Sequence, residues 1–168
     1  MGKITEPMLA ELRQEAAITR RVLERVPEAK LAWKPHPKSM SLGELALHTA
    51  GIPGGLSKLA LLEEFDAGQA NFNPPSPKNV EEILAAHDQG VREAEERLRG
   101  MSDQSAVGTW RLLVNGKELF TRQRIDMLRS VLLNHWIHHR GQLSVYLRLL
   151  DVPVPVIYGR SADENPLA

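Results

Sequence analysis

The chain reads as an all-α protein, a four-helix bundle with a small β-hairpin before its last helix, and three features predict this. Four segments repeat apolar residues at intervals of three and four, the period of a helix with one buried face. Stretches rich in proline, glycine, asparagine and serine separate them, which is the chemistry of connectors. Asn115-Gly116, a pair that accepts the positive φ angles of a type I′ turn, divides Trp-Arg-Leu-Leu-Val from Glu-Leu-Phe-Thr.

Thr5 stands where an N-cap is expected, with Pro7 in the first turn, and Leu9, Leu12, Ala16, Leu23 and Val26 carry the apolar face of a first helix from about Glu6 to Val26. Pro27 to Lys38 then holds three prolines around Trp33 and His36; proline lacks the amide donor, so this is a connector, anchored by the Trp33 ring. Ser41 and Glu44 have the spacing of a capping box, and Met40 and Leu45 that of a hydrophobic staple, so a second helix starts there. Its seam runs Leu45, His48, Ile52, Leu56 and Leu59. Gly51, Pro53, Gly54 and Gly55 interrupt it, so a kink is expected just past His48. Residues 68–78 have loop composition. Asn79 and Glu82 form a second capping-box pair opening a third helix that ends near Gly100. After the hairpin, Arg122 to Leu150 reads as one long helix closed by Val152-Pro153-Val154-Pro155, with an ordered tail fraying at its end. No internal repeat is visible, and residues 1–168 read as a single domain.

Charge and composition narrow the function. With 42% hydrophobic residues the chain can bury a core, and no stretch approaches the apolar length of a membrane helix. The 21 basic and 21 acidic residues cancel, so no overall field draws the molecule to nucleic acid. The amino terminus is charged and amphipathic, unlike a secretory signal, and a cytoplasmic location is expected. There are no cysteines, which excludes disulfides, thiolate ligands and a cysteine nucleophile, so any metal must be held by nitrogen or oxygen. The six histidines therefore become the residues of interest.

In the last helix Leu128, Leu132, His135, His139, Gln142, Tyr146 and Leu149 step by four and three residues and share one face, which is expected to be buried. Three polar side chains in the middle of that stripe would each cost about 1–3 kcal/mol if buried without a partner. A bound metal satisfies them together. Two histidines at i and i+4 sit about 40° apart around the axis and about 6 Å along it, so both imidazoles can reach one ion. His48 repeats the pattern on the second helix, between Leu45 and Ile52, and three imidazoles converge if the two helices pack face to face. The residues between His135 and His139 are not those of a zincin protease. His138 falls at the edge of the stripe and is read as a hydrogen-bonding histidine outside the ligand set, and His36 and His87 as surface or capping residues.

The segments WKPHPKSMSLGELALH from Trp33 to His48, NHWIHHRGQLSVYLR from Asn134 to Arg148 and VPVPVIYGRSADE from Val152 to Glu164 together resemble the DinB family, the DinB/YfiT-like metal-dependent four-helix proteins. The HHRGQ core from His138 to Gln142 is the most specific part. The resemblance implies one divalent metal, zinc or nickel, held by His48, His135 and His139, and a homodimer. Three imidazoles leave a coordination position open for water or substrate. Family members with assigned chemistry act on low-molecular-weight thiols, so a thiol S-transferase with a small-molecule substrate is the first expectation. A metal-dependent hydrolase and a non-catalytic metal-binding stress-response protein are the alternatives. Gln142 and Tyr146, on the ligand face, and Glu44, one turn before His48, are candidates to orient the ligands or touch substrate. Arg140, turned away from the seam by helical phase, is read as a salt-bridging or substrate-entrance residue. The Tyr158-to-Glu164 tail is placed to fold back over the site, with Asp163 as a candidate acid.

Overall fold

A computed structural model describes residues 2–71 and 75–165 of the chain. Residues 72–74 of the expected loop and 166–168 of the expected frayed end lie outside them. The described chain is mostly helical, with a small sheet of three strands rather than the two of a lone hairpin.

Helix α1 spans Thr5–Leu23. It starts one residue earlier than expected, because Thr5 is its first residue and not its cap, and the Thr5 hydroxyl donates back to the Gly2 carbonyl at 3.1 Å. The proline-rich connector forms one 3₁₀ turn at Glu28–Lys30, and the Trp33 ring anchors it edge-on against Tyr146, centroids 5.6 Å apart. Helix α2, Leu42–Leu59, opens on the expected capping box: Ser41 Oγ accepts from the Glu44 amide at 3.1 Å, and Glu44 Oε2 accepts from the Ser41 amide at 2.7 Å. The helix then runs unbroken through Pro53. Gly54 serves packing instead. A Cβ at Gly54 would lie 2.9 Å from the Cα of Gly90, so only glycine lets these backbones approach so closely where α2 crosses α3, Val80–Gly100. A Gly90→Val chain should lose about 1–3 kcal/mol from the overpacked crossing, read as a lower urea midpoint with an unchanged m-value; an unchanged midpoint would mean the crossing yields freely.

Helix α3 is capped by Asn79, whose side chain accepts from the Glu82 amide at 2.9 Å; the Glu82 carboxylate returns the bond to the Lys78 amide. A short turn, α4 at Asp103–Ala106, leads into strands β2, Thr109–Val114, and β3, Lys117–Gln123. They pair antiparallel, and Asn115 at φ 52° and Gly116 at φ 76° make the expected turn. The added strand, β1 at Glu64–Asp66, runs parallel to β2. Asp66 secures it, because its carboxylate accepts from the Asn115 amide at 2.8 Å and the Gly116 amide at 2.7 Å.

The last helical rod is not one α-helix. It comprises α5 at Arg124–Met127, a π segment at Leu128–Leu133 and α6 at Asn134–Leu149. A π turn takes one residue more than an α turn, so the apolar phase shifts within the rod. Leu128 and Leu132 are buried as expected, but the stripe continues through Trp136, Arg140, Leu143 and Leu147, each at most 1% exposed, while Gln142 and Leu149 are exposed. The histidine face therefore lies along the margin of the core rather than at its centre.

α3 packs against α1 and α2, and the last rod packs against α2 and α1. The core forms two clusters. One gathers Leu12, Leu98, Trp110, Leu132 and Trp136, the other Val22, Leu45, Ile83, Leu143 and Leu147. Between them, every long helix contributes buried polar side chains: Glu15 and Thr19 from α1, Thr49 from α2, His87 from α3, His139 and Arg140 from α6. His87 corrects the surface reading, being 2% exposed with its Nδ1 against Asp88 Oδ1 at 3.1 Å. It follows Ile83 and precedes Gly90, Ala94 and Leu98 on the inward face of α3, so it must be buried once that face is. No described helix is long and apolar enough to cross a membrane.

Candidate metal centre

The polar belt reaches the surface where α2 and α6 face each other, and three imidazoles meet there. Ligand nitrogens of His48, His135 and His139 lie within 4.8 Å of one another. His48 and His139 stack edge to face with centroids 4.5 Å apart, and His135 lies 5.4 Å from His48. His139 Nε2 is 2.7 Å from His135 Nε2. On its other side His139 Nδ1 donates to Gln142 Oε1 at 2.8 Å. That bond places the ring proton on Nδ1 and leaves the Nε2 lone pair facing the other two rings. A metal fits this donor set: nitrogen lone pairs converge, and the partner that orients one of them is in place.

Burial favours the neutral, ligating form. It is the main cause that lowers the pKa of His48 and of His135, and it pushes His139 down to about 4 from the usual 6.5. With folded-state values below the unfolded one, the unfolded chain binds more protons as pH falls. Stability contributed by His139 is complete above about 6.5 and drains away toward about 4. Metal occupancy should fall at the acid end of this window, where the folded His139 ring begins to take up protons that compete for the same lone pair. A titration of bound metal and thermal midpoint from pH 8 to pH 4 checks this; occupancy that stays flat down to pH 4 would contradict it.

The other expected site residues lie as follows. Gln142 touches His139, as above. Tyr146 sits one turn beyond, its hydroxyl donating to the Met40 carbonyl at 3.3 Å and its ring against Trp33. Glu44 turns to the capping box and to Lys34 Nζ at 3.6 Å, which together hold its carboxyl below the usual range. His138 is exposed, its ring 5.0 Å from that of His139, and His36 is exposed and accepts from the Lys38 amide.

Arg140 is not at an entrance. It is 1% exposed and points to α1, pairing with Glu15 Oε2 at 2.6 Å and donating to Thr19 Oγ1 at 3.1 Å and to the Tyr158 hydroxyl. The Tyr158 hydroxyl in turn donates to Glu15 at 2.9 Å. The tail lies along α1 and the far end of α6 instead of over the imidazoles. Glu164 pairs with Arg21 and Arg25, and Asp163 pairs with Arg148 and accepts from the Val154 amide. Both tail carboxyls are held below their usual range, Asp163 chiefly by Arg148 and Glu164 chiefly by the Val156 amide.

A feature the sequence reading missed opens beside the imidazoles. A cavity of about 560 Å³ is lined by His48 and His135 and by Ile52, Leu56, Leu59 and Phe65. Gly51 and Gly55 form its floor, and a Cβ at either would meet nothing within 4 Å. The signal was present: His48, Gly51, Gly55 and Lys58 recur at helical spacing, but the glycines were read as a break rather than as room.

A sequence model of the DinB family matches residues 1–166. The chain belongs to the DinB family. The uncharacterized protein YrdA of Bacillus subtilis (strain 168) is 26% identical over 152 residues, spanning 89% of this chain and 85% of YrdA. Two crystal structures share the DinB fold. A DinB-like protein from Bacillus cereus ATCC 10987 superposes with a TM-score of 0.67 at 22% identity, covering 89% of this chain and 95% of that one. The DinB-like protein YjoA from Bacillus subtilis gives 0.69 at 17% identity, covering 92% and 100%.

Proposed function

We propose that this DinB protein is a divalent-metal-dependent enzyme of small molecules, a thiol S-transferase built on a four-helix bundle, with His48, His135 and His139 holding zinc or nickel. The observation that carries the reading is the junction of three converging imidazoles with a mostly apolar cavity, two of whose lining residues are themselves imidazoles of the triad. Nitrogen donors of this kind suit zinc and nickel. When bound, such an ion supplies a Lewis acid that brings the pKa of a thiol or a water toward neutrality.

The chain's own residues do the rest. Gln142 fixes the His139 ring with its Nε2 inward. The apolar walls exclude water and hold an electrophile near the imidazoles. In the transfer itself a thiol loses its proton to solvent, its sulfur bonds to the electrophilic carbon, and the leaving group departs with the electron pair of the bond it breaks. No cysteine is required of the protein, and it has none. The described residues lining the cavity include no carboxylate to serve as a base toward water, which favours thiol transfer over hydrolysis.

The test is turnover of bacillithiol, mycothiol or glutathione with an electrophile such as a haloalkane, in the presence of Zn²⁺, Ni²⁺ or Mn²⁺. The expected result is metal-dependent thioether formation, lost in His135→Ala. Stoichiometric metal with no turnover for any pairing would overturn the enzymatic reading and leave the metal-binding stress-protein reading. A cytoplasmic homodimer belongs to the same proposal. Val145 and Leu149, exposed one turn apart on α6, are the apolar side chains it would cover, and the mass in solution measures it.

A further inference from the structure

We infer that the cavity beside the imidazoles takes an elongated small molecule with an apolar body and a terminal carboxylate, the carboxylate held by Lys58. The inference deepens the proposed function, because the same molecule would present its reactive end to the triad.

Four observations lead there. The volume, about 560 Å³, is that of a small-molecule site. The lining is made by Leu47, Ile52, Leu56, Leu59, Phe65 and Pro75, so the body that fits it is hydrocarbon-like. The cavity is long in one direction: His48 and Lys58 both line it from α2, and ten residues of α-helix span about 15 Å. Gly51 and Gly55 keep the helix face between them flat, since a side chain at either would project into open space. Lys58 is the single charged side chain among the described lining residues. It is exposed and has no ion-pair partner within 4.0 Å among the described residues; Glu93, toward which it lies, is engaged by Arg97 at 2.8 Å and by Gln89 at 2.8 Å. One ammonium on a flexible stem, with no arginine among the described lining residues and Arg97 nearby committed to Glu93, Ser57 and the Gly54 carbonyl, matches one negative charge rather than a phosphate, which calls for more donors. The occupant thus has an apolar chain along the glycine floor, one end at His48 and His135 and a carboxylate at Lys58.

The experiment titrates 11-(dansylamino)undecanoic acid and its methyl ester into the zinc-loaded 168-residue chain at pH 8 by fluorescence. The acid is expected to bind about fivefold more tightly than the ester at low salt, with the gap narrowing as salt rises. Lys58→Gln should bring the acid down to the ester and leave the ester unchanged. Gly55→Leu, which extends a side chain into the cavity from a position where the fold has room, should weaken both at least tenfold while zinc binding stays intact. Equal binding of acid and ester, or a Lys58→Gln chain that still prefers the acid, overturns the carboxylate assignment. Binding insensitive to Gly55→Leu, or no binding of either probe, overturns the cavity. The same titration on His139→Ala separates this proposal from the last one: probe binding there with metal lost supports the cavity whatever becomes of the catalytic reading.

Discussion

Alanine at His139 is expected to reduce zinc or nickel affinity by well over the ~100-fold that loss of a ligand's orienting partner can cost, so that tag-free protein retains no stoichiometric metal by elemental analysis. The expectation follows from position. His139 lies within contact of both other rings and carries the one oriented nitrogen, its proton committed to Gln142. A metal bound at 100 times its dissociation constant adds about 2.7 kcal/mol to the folded state. The wild-type chain should therefore melt higher when metal is added, and the His139→Ala chain should melt at the same temperature with and without it. Gln142→Ala should retain the metal with affinity lowered about 10- to 100-fold. Full metal content in His139→Ala would remove the centre from His48, His135 and His139 altogether.

Loss of Arg140 should be the most destabilising single change in the fold. Its guanidinium and the Glu15 carboxylate are 1% and 6% exposed, so Arg140→Ala leaves a buried carboxylate with only the Tyr158 hydroxyl and no opposite charge. Breaking such a pair costs about 3–5 kcal/mol, and for a chain of this size that lowers the thermal midpoint by on the order of 10 °C. The paired change Glu15→Met with Arg140→Met removes both charges and should recover most of the loss. A single Arg140→Ala variant that melts within a degree of wild type would show that water reaches Glu15 and that the pair is not buried in solution. Because Arg140 adjoins His139 but faces α1, metal affinity in the double variant should stay close to wild type, which separates support of the fold from support of the centre.

The sequence made the triad readable and hid its surroundings. His135 and His139 are four apart within one α-helix, and His48 lies between Leu45 and Ile52, so local spacing singled out all three, and the packing of α2 against α6 brings them together. The capping box at Ser41 and the Asn79 cap were readable for the same reason, since each depends on residues three positions apart, although the Glu82 carboxylate takes the Lys78 amide and not that of Asn79. Burial of the last rod was not, because the prediction carried the phase of Leu128 and Leu132 through a segment whose hydrogen bonding changes. Strand β1 is three residues long and is held by the Asp66 side chain on a turn some fifty residues away, which no local pattern reveals. Arg124 was equally silent: it is 8% exposed and donates to the carbonyls of Ala60, Leu62 and Ser105, tying the start of the last rod to the end of α2.

The widened turns between Leu128 and Leu133 make the winding of this stretch as consequential as its composition. They take up one residue beyond what an ordinary α-helix would hold. The same residues wound as plain α-helix would rotate everything downstream by about 100°. Trp136 would swing out of the interior, the imidazoles would leave the rim facing α2, and Arg140 would lose Glu15, all without altering any of those side chains. A one-residue deletion here lets ordinary winding return with the azimuth kept, so a variant or relative carrying one has to be judged by where its rings end up rather than by whether its histidines keep their numbers.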